Sequence, residues 1–319
     1  MPSSEKPRPI GGVDYPRNWH EFQTWFRDEA ACRTFLEGLR WPKGFVCPSC
    51  GGPKGWRRSR GLFQCAACGH EASVTAGTIF AGTRTPLRTW FAAAWYVTHQ
   101  QHGVSALGLK RVLGLGSYQT AWAMLHKLRR AMVHPGRDRL AGDVEADETY
   151  VGGHEPWAGG RHAGKKAIVA IAVEVPEERS IGRVRMARIP DVSGPSITGL
   201  IIEAVESGSV VLTDGWRSYR RLPDVGYLHK PTSISASGDP AHVVMPGVHR
   251  VASLLKRWLL GTHQGAVRPE HLDYYLDEFT FRFNRRRSRQ RGMLFYRLVE
   301  QAVEVAPAPY RDMIGGRPL

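Results

Sequence analysis

Asp143, Glu145, Asp147 and Glu148 crowd four acids into six residues of GDVEADETYVGG (142–153), in a chain of net charge +15. Read as a strand, the segment alternates its side chains, so Asp143, Glu145 and Asp147 share one face. Like charges on one face repel, and divalent cations are the partners that make such a set tolerable. Two further residues are placed to join them. Asp214 ends the short apolar run VVLTD (210–214), at the strand end where open α/β sheets bind ligands. His249 begins a polar line, His249–Ser253–Lys256, on the side of a helix over 248–261 away from its apolar core face. Each residue alone has a plainer reading, since strand-end aspartates form turns and helical histidines pack or lie in solvent. Together, Asp147, Asp214 and His249 read as ligands of two cations about 3.5–4 Å apart, which clamp the oxygens of an in-line phosphoryl transfer. Lys256, about 10 Å further along the helix, is too far for the same ion and suited to a flanking phosphate.

A second constellation is made of sulfur. Four of the five cysteines form CPSC (47–50) and CAAC (65–68), with 14 residues between the pairs. Each pair puts two sulfurs on one edge of a tetrahedron, so Cys47, Cys50, Cys65 and Cys68 read as one structural Zn²⁺ site. Gly51, Gly52 and Gly69 follow the pairs, as tight turns beside a metal require. Two disulfides are the alternative, and they need an oxidising compartment. The start, MPSSEKPRPIGGVDYP, has no apolar signal-peptide core, so a reducing, cytoplasmic setting close to the nucleoid is expected. Cys32 stands alone and reads as a small buried apolar residue.

The elements that position these groups follow from charge and periodicity. Lys and Arg number 44 against 29 acids, and the pI is near 10, which calls for a polyanionic partner. The longest apolar runs, AIVAIAV (167–173) and WFAAAWYV (90–97), are too short to span a bilayer, so nucleic acid is expected rather than a membrane. Residues 1–41 form a helical N-terminal segment and 42–80 the zinc ribbon. Residues 84–134 are all helical. There, Ser117 is an N-cap, and Ala121, Leu125, Leu128 and Met132 make one buried stripe. Gln119, Thr120, Lys127 and Arg130 then face outward. Helix, short turn, helix with a basic face suits a helix-turn-helix in a major groove, although an ordinary helical hairpin has the same local pattern. HPGRDRLAG (134–142) marks a boundary. Beyond it, three strands, a helix, a strand and two closing helices make an α/β domain with a mixed sheet over 140–300. Residues 301–319 read as a tail. The run NRRRSRQR (284–291), with Arg285 and Arg286, suggests a DNA-backbone track, as do Lys256 and Arg257.

Several stretches resemble one family closely: GFVCPSC…CAACGH, TAGTIF (75–80), YQTAWAMLHKLR (118–129), VEADETYVGG (144–153), LTDGWRSY (212–219), LLKRWLLGTHQG (254–265) and HLDYYLDEFTFRFNRR (271–286). They look like a bacterial insertion-sequence transposase of the ISXO2-like (IS1595) family, and they span about residues 20–300. The resemblance implies a DDE-type, ribonuclease-H-like catalytic domain. It implies cutting at element ends and strand transfer with Mg²⁺ or Mn²⁺, and it carries the first two carboxylates onto Asp147 and Asp214. Holding two DNA ends together implies a homodimer or larger assembly on terminal inverted repeats and target DNA. The third position departs from the pattern. Related sequences often have Glu or Asn seven residues before the lysine of LLKR, where this chain has His249, 35 positions after Asp214. Oxygen is the better ligand for Mg²⁺, so an imidazole there implies a stronger preference for Mn²⁺. Two other readings are a zinc-ribbon regulator that binds DNA without cutting it, and a structure-specific nuclease on the same fold.

Overall fold

The computed structural model describes residues 8–133, 136–152, 166–176, 180–232, 241–265 and 267–315. Gly153, Lys165 and residues 233–235, which belong to expected strands, lie outside the described residues, as do 1–7 and 316–319. Compact packing divides the chain into two units, with breaks at 134/135, 287/288 and 313/314.

The first unit begins with two short helices, α1 (Trp19–Trp25) and α2 (Glu29–Arg40), where the apolar pattern over 17–41 reads as one helical stretch. Asn18 and Asp28 each cap a helix start, accepting from the N–H groups of Glu21 and Ala31 at 3.0 and 2.8 Å. The second cap is what breaks the run. The ribbon's strands β1 (Gly55–Arg57), β2 (Leu62–Cys65) and β3 (Glu71–Ser73) form an antiparallel meander. Its core is small, namely Phe45, Cys47, Cys65 and Ala72, with Trp41 and Phe63 against them. Three helices follow: α3 (Leu87–His99), α4 (Ala106–Leu113) and α5 (Tyr118–Ala131). α3 starts at Pro86 with no cap of its own, and the Glu29 carboxylate accepts from Leu87 N and Arg88 N at 2.9 and 2.8 Å. Gly114, at φ 62°, ends α4, and Ser117 caps α5 by accepting from Thr120 N at 3.0 Å.

The second unit carries a five-stranded sheet in the order β6-β5-β4-β7-β8. Its strands are β4 (Asp143–Val151), β5 (Ala167–Glu174), β6 (Val184–Ile189), β7 (Val210–Thr213) and β8 (Leu228–Pro231). β4, β5 and β6 pair antiparallel, while β4–β7 and β7–β8 pair parallel. This is the expected ribonuclease-H-like mixed sheet. One face packs on α6 (Gly194–Ala204), where Val144, Ala146 and Val211 meet Ile197, Leu200 and Ile201. The short α7 (Ala241–Val244) leads into α8 (Pro246–His263), and α9 (Leu272–Asn284) follows. These cover the other face, where Val169, Ile171 and Val173 meet Val251, Leu255, Leu259 and Phe279.

The C-terminal stretch differs from the sequence expectation. Residues 288–313 cluster with the first unit, not with the sheet. α10 (Arg291–Ala302) inserts Phe295 among Phe22, Phe26, Phe35, Phe91 and Trp95, with ring centroids 5.5–6.3 Å away. Nor is 301–315 a loose tail: Ala302, Val303, Ala308 and Met313 are buried, and α11 (Tyr310–Ile314) sets Tyr310 edge-on to Trp122. Among the described residues, no helix is long and apolar enough to cross a membrane.

Candidate active site and zinc centre

The pleat of β4 sorts its acids. Val144 and Ala146 face α6, and their parity carries Glu148 to that side. Glu145 and Asp147 face the other way, toward α8. Asp147 is paired with Ile171, and its Oδ2 lies 3.8 Å from His249 Nε2 on the first turns of α8. Both are partly open, at 18% and 31% side-chain exposure. β7 pairs with β4 in the register Glu145↔Leu212. The paired register stops there and β7 ends at Thr213, so Asp214 is the first residue beyond that strand. The Asp214 carboxylate is steadied by Trp216 N at 2.9 Å, and that of Asp147 by Glu148 N at 2.9 Å.

Glu145 has a different task. It is 3% exposed, and its Oε2 accepts from Val248 N at 2.7 Å. Burial pushes its pKa up, opposed by the N–H groups of Val248 and Gly247. α8 starts at Pro246 with no side-chain cap from its own chain neighbours. Glu145 therefore caps α8 from the strand, which sets His249, one residue past Val248, over Asp147. The approach needs Gly247, where a Cβ would lie 2.9 Å from Glu145 Oε2. Glu148, on the far face, accepts from the Tyr219 hydroxyl at 3.1 Å. Burial, then the charges of Glu148, Asp147 and Asp214, hold the Tyr219 proton firmly in place. The phenol thus feels both candidate aspartates. Its only sequence signal is its place in LTDGWRSY, and the cap by Glu145 has none.

The donor set fits a hard or borderline divalent ion. A gap of 3.8 Å is too long for a hydrogen bond and close to the roughly 3–4 Å between neighbouring ligands at 2.0–2.1 Å from one ion. The full set is not closed up: among the described residues, Asp147, Asp214 and His249 do not all lie within 4.8 Å of one another, as the four cysteines do. Two like-charged carboxylates have no reason to approach without a cation between them. Lys256 is exposed along α8. Atoms packed around its ammonium, then Lys166, lower its pKa, and Asp147 pulls it back up.

The sulfurs of Cys47 and Cys68 are 3.7 Å apart and those of Cys50 and Cys65 3.6 Å. About 3.8 Å is the edge of a tetrahedron with 2.3 Å zinc–sulfur arms. Both knuckles turn through left-handed glycines, Gly51 at φ 73° and Gly69 at φ 71°. Backbone N–H groups of Cys68 and Ala67 draw the Cys65 pKa down to about 7, against its burial. A thiolate is what zinc binds.

The expected DNA-facing residues are placed unevenly. Gln119 and Thr120 are exposed at the start of α5, and Arg130 is partly exposed. Lys127 does not stand out from the helix: it is half-buried with its Nζ 5.9 Å from the Trp90 ring, and burial, then Arg130, lowers its pKa. Arg257 is exposed. Arg285 and Arg286 lie over Phe281 and Phe283 at 4.2 and 4.0 Å, and Arg286 also donates to the carbonyls of Ile181 and Gly182.

Residues 139–284, from just before β4 to the end of α9, match the ISXO2-like transposase domain, and residues 27–71 match the transposase zinc-ribbon domain. Two separate stretches of the chain thus resemble the two domains of an ISXO2-like transposase. The transposase-domain match contains Asp147, Asp214, His249 and Lys256, and the ribbon match contains all four clustered cysteines. A Halobacterium salinarum protein, described as an uncharacterized protein in transposable element ISH50, is 28% identical over 276 residues. That alignment covers 81% of this chain and 91% of the relative. No solved structure matches the chain.

Proposed function

We propose that the chain binds the terminal inverted repeats of its element, cuts the element ends and joins them to target DNA. The observation that carries this is Asp147 facing His249 across 3.8 Å, with Asp214 one residue past the adjoining strand and both aspartates felt by the Tyr219 phenol. These three residues would hold divalent cations, Mg²⁺ or Mn²⁺, which when bound supply positive charge to the attacking and leaving oxygens. Asp147 would fix the geometry from β4 and Asp214 from the turn after β7, and His249 would close it from a helix that Glu145 locks in place. Water attacks the phosphorus and loses a proton. The bond to the 3′ oxygen breaks, and that oxygen leaves as a hydroxyl. In the joining step the same hydroxyl loses its proton and attacks a target phosphate in line, and the target strand's own 3′ oxygen leaves, taking up a proton as a new hydroxyl. Lys256 and Arg257 hold phosphates beside the reacting one. α4, its turn and α5 meet the repeat with Gln119, Thr120 and Arg130, and two chains hold the two ends together.

Purified protein, labelled element ends and a target plasmid, run in parallel with Mg²⁺ and Mn²⁺, test this. Metal-dependent nicking and joined products, both absent in Asp147→Ala and Asp214→Ala, are expected. End binding with no cutting in either metal would leave a regulator. Cutting of branched DNA without joining would leave a nuclease.

A further inference from the structure

The first unit holds a cleft that neither the ribbon nor the α4–α5 pair uses. Its volume is about 660 Å³, and it lies where the approach to α1, the end of α3 and the start of α10 meet. Trp19 forms part of its wall and is 50% exposed. Phe22 backs the indole at 5.0 Å with 10° between the ring planes, so the ring is held as a plate. Arg289 and Arg291 line the same cleft, and no acidic side chain does. Arg17 is there too, but it is spent on Glu21 at 2.5 Å.

The start of α10 adds to the positive field. Its N-cap residue, Gln290, makes no side-chain cap, because its Oε1 accepts from the Tyr15 hydroxyl at 2.8 Å instead. No acid occupies the first turn, so the N–H groups there carry an uncompensated partial positive charge. Gly292 keeps the cleft in this shape: a Cβ there would lie 2.0 Å from the Pro16 carbonyl. On another wall His99 stacks on Trp95 at 3.9 Å, and its Nδ1 bonds the Trp95 carbonyl at 2.8 Å. The proton is therefore on Nδ1, since a carbonyl only accepts. Burial, with Arg291 nearby, keeps the ring neutral. Nε2 is closed off from solvent and has no hydrogen-bond partner among the described residues, so it is the ring's stacking on Trp95 and not this atom that shapes the wall.

A rigid aromatic plate and two cations with no acid beside them among the described lining residues match two parts of one nucleotide, a flat base and a phosphate. A peptide carboxylate would use the arginines and leave the plate idle. Paired bases are closed inside the duplex, so the occupant must be unpaired. We propose that this cleft takes one unpaired nucleotide of the DNA substrate, its base on Trp19 and its phosphate on Arg289 and Arg291. The proposal rests on the reading that the chain acts on DNA.

The test compares the full zinc-loaded chain, without Mg²⁺ or Mn²⁺, on a blunt duplex, on the same duplex with a short oligo(dC) overhang, and on one whose overhang lacks bases. Fluorescence anisotropy reads the affinity. The oligo(dC) overhang tightens binding by about fivefold to 150-fold, the range that one base–aromatic stack contributes, and the abasic overhang by much less. Trp19→Ala brings the overhang affinity down to the blunt level, Trp19→Phe restores most of the gain, and Arg291→Ala lowers it for both overhangs. Equal affinity of the parent for blunt and oligo(dC) duplexes, or a gain that survives Trp19→Ala, overturns the proposal. No binding to any of the three DNAs would instead overturn the DNA reading beneath it.

Discussion

Replacing Glu145 by alanine removes the cap of α8 while leaving Asp147, Asp214 and His249 in the chain. The carboxylate accepts from Val248 N at 2.7 Å with 3% of the residue exposed. A hydrogen bond of this charged kind is worth about 1.5–3 kcal/mol, and a negative charge at a helix start about 0.3–1 kcal/mol more. Relief from burying the carboxylate works the other way, as its raised pKa indicates. The expected net loss is about 2 kcal/mol, or a fall of roughly 4–8 °C in Tm for a domain of this size. Glutamine keeps an acceptor oxygen without the charge, so its loss is about 1 kcal/mol or less. Calorimetry and end cleavage on the same preparations read both effects. Glu145→Ala loses cleavage along with stability, and Glu145→Gln keeps most of both. An alanine variant as stable as the parent refutes the cap. A glutamine variant of full stability and no cleavage refutes the positioning role, because Glu145 would then be a ligand. The pH dependence has a definite sign. The folded state keeps a proton that the unfolded chain gives up near the ordinary carboxylate value of 4.5. This residue's contribution therefore falls as pH rises from there through the raised pKa, and Glu145→Gln removes that slope.

Stripping zinc, or Cys47→Ser, unfolds the ribbon, since its core offers little beyond Phe45, Cys47, Cys65 and Ala72. Tryptophan fluorescence reports the loss, the circular dichroism of the sheet domain persists, and added zinc restores the ribbon with an apparent contribution of about 10–16 kcal/mol. Glu174 meets Arg183 at 2.6 Å, and although burial raises its pKa, the bonds from the Arg183 side chain and from Arg183 N and Ala141 N bring it below the ordinary value. Glu174→Gln therefore costs about 1–2 kcal/mol at neutral pH. That deficit fades as pH falls through the lowered folded pKa, as denaturation midpoints at stepped pH would record. His249→Ala loses about tenfold or more of metal-dependent cleavage with end binding intact, and His249→Glu moves the preference from Mn²⁺ toward Mg²⁺. Cleavage gels in the two metals check both.

How much could be read beforehand depended on the range of the forces involved. Alternation along GDVEADETYVGG, the CxxC spacing and the two unlike faces of α8 are local patterns, and each produced its element close to the expected bounds. The face shared by Glu145 and Asp147 was legible for the same reason. That an N-terminal helix end would descend on Glu145 was not, because the contact joins residues 103 apart in sequence. Lys127 shows the same limit. Helical periodicity points it outward, but the Trp90 ring on α3 draws its stem inward. The arginines after α9 read as a free basic track, and neighbouring phenylalanines and carbonyls take two of them. α10 carries an ordinary amphipathic pattern, and nothing in that pattern says which half of the chain it buries against.

The return of residues 288–313 to the first unit orders events during synthesis. The ring cluster of Phe22, Phe26, Phe35, Phe91 and Trp95 stays open until Phe295 arrives. By then the ribosome has already translated all the described strands of the sheet domain. A message cut short after residue 287 would therefore yield a fragment with a complete set of sheet strands and an unfinished amino-terminal half. The amino-terminal unit thus begins first and is completed last.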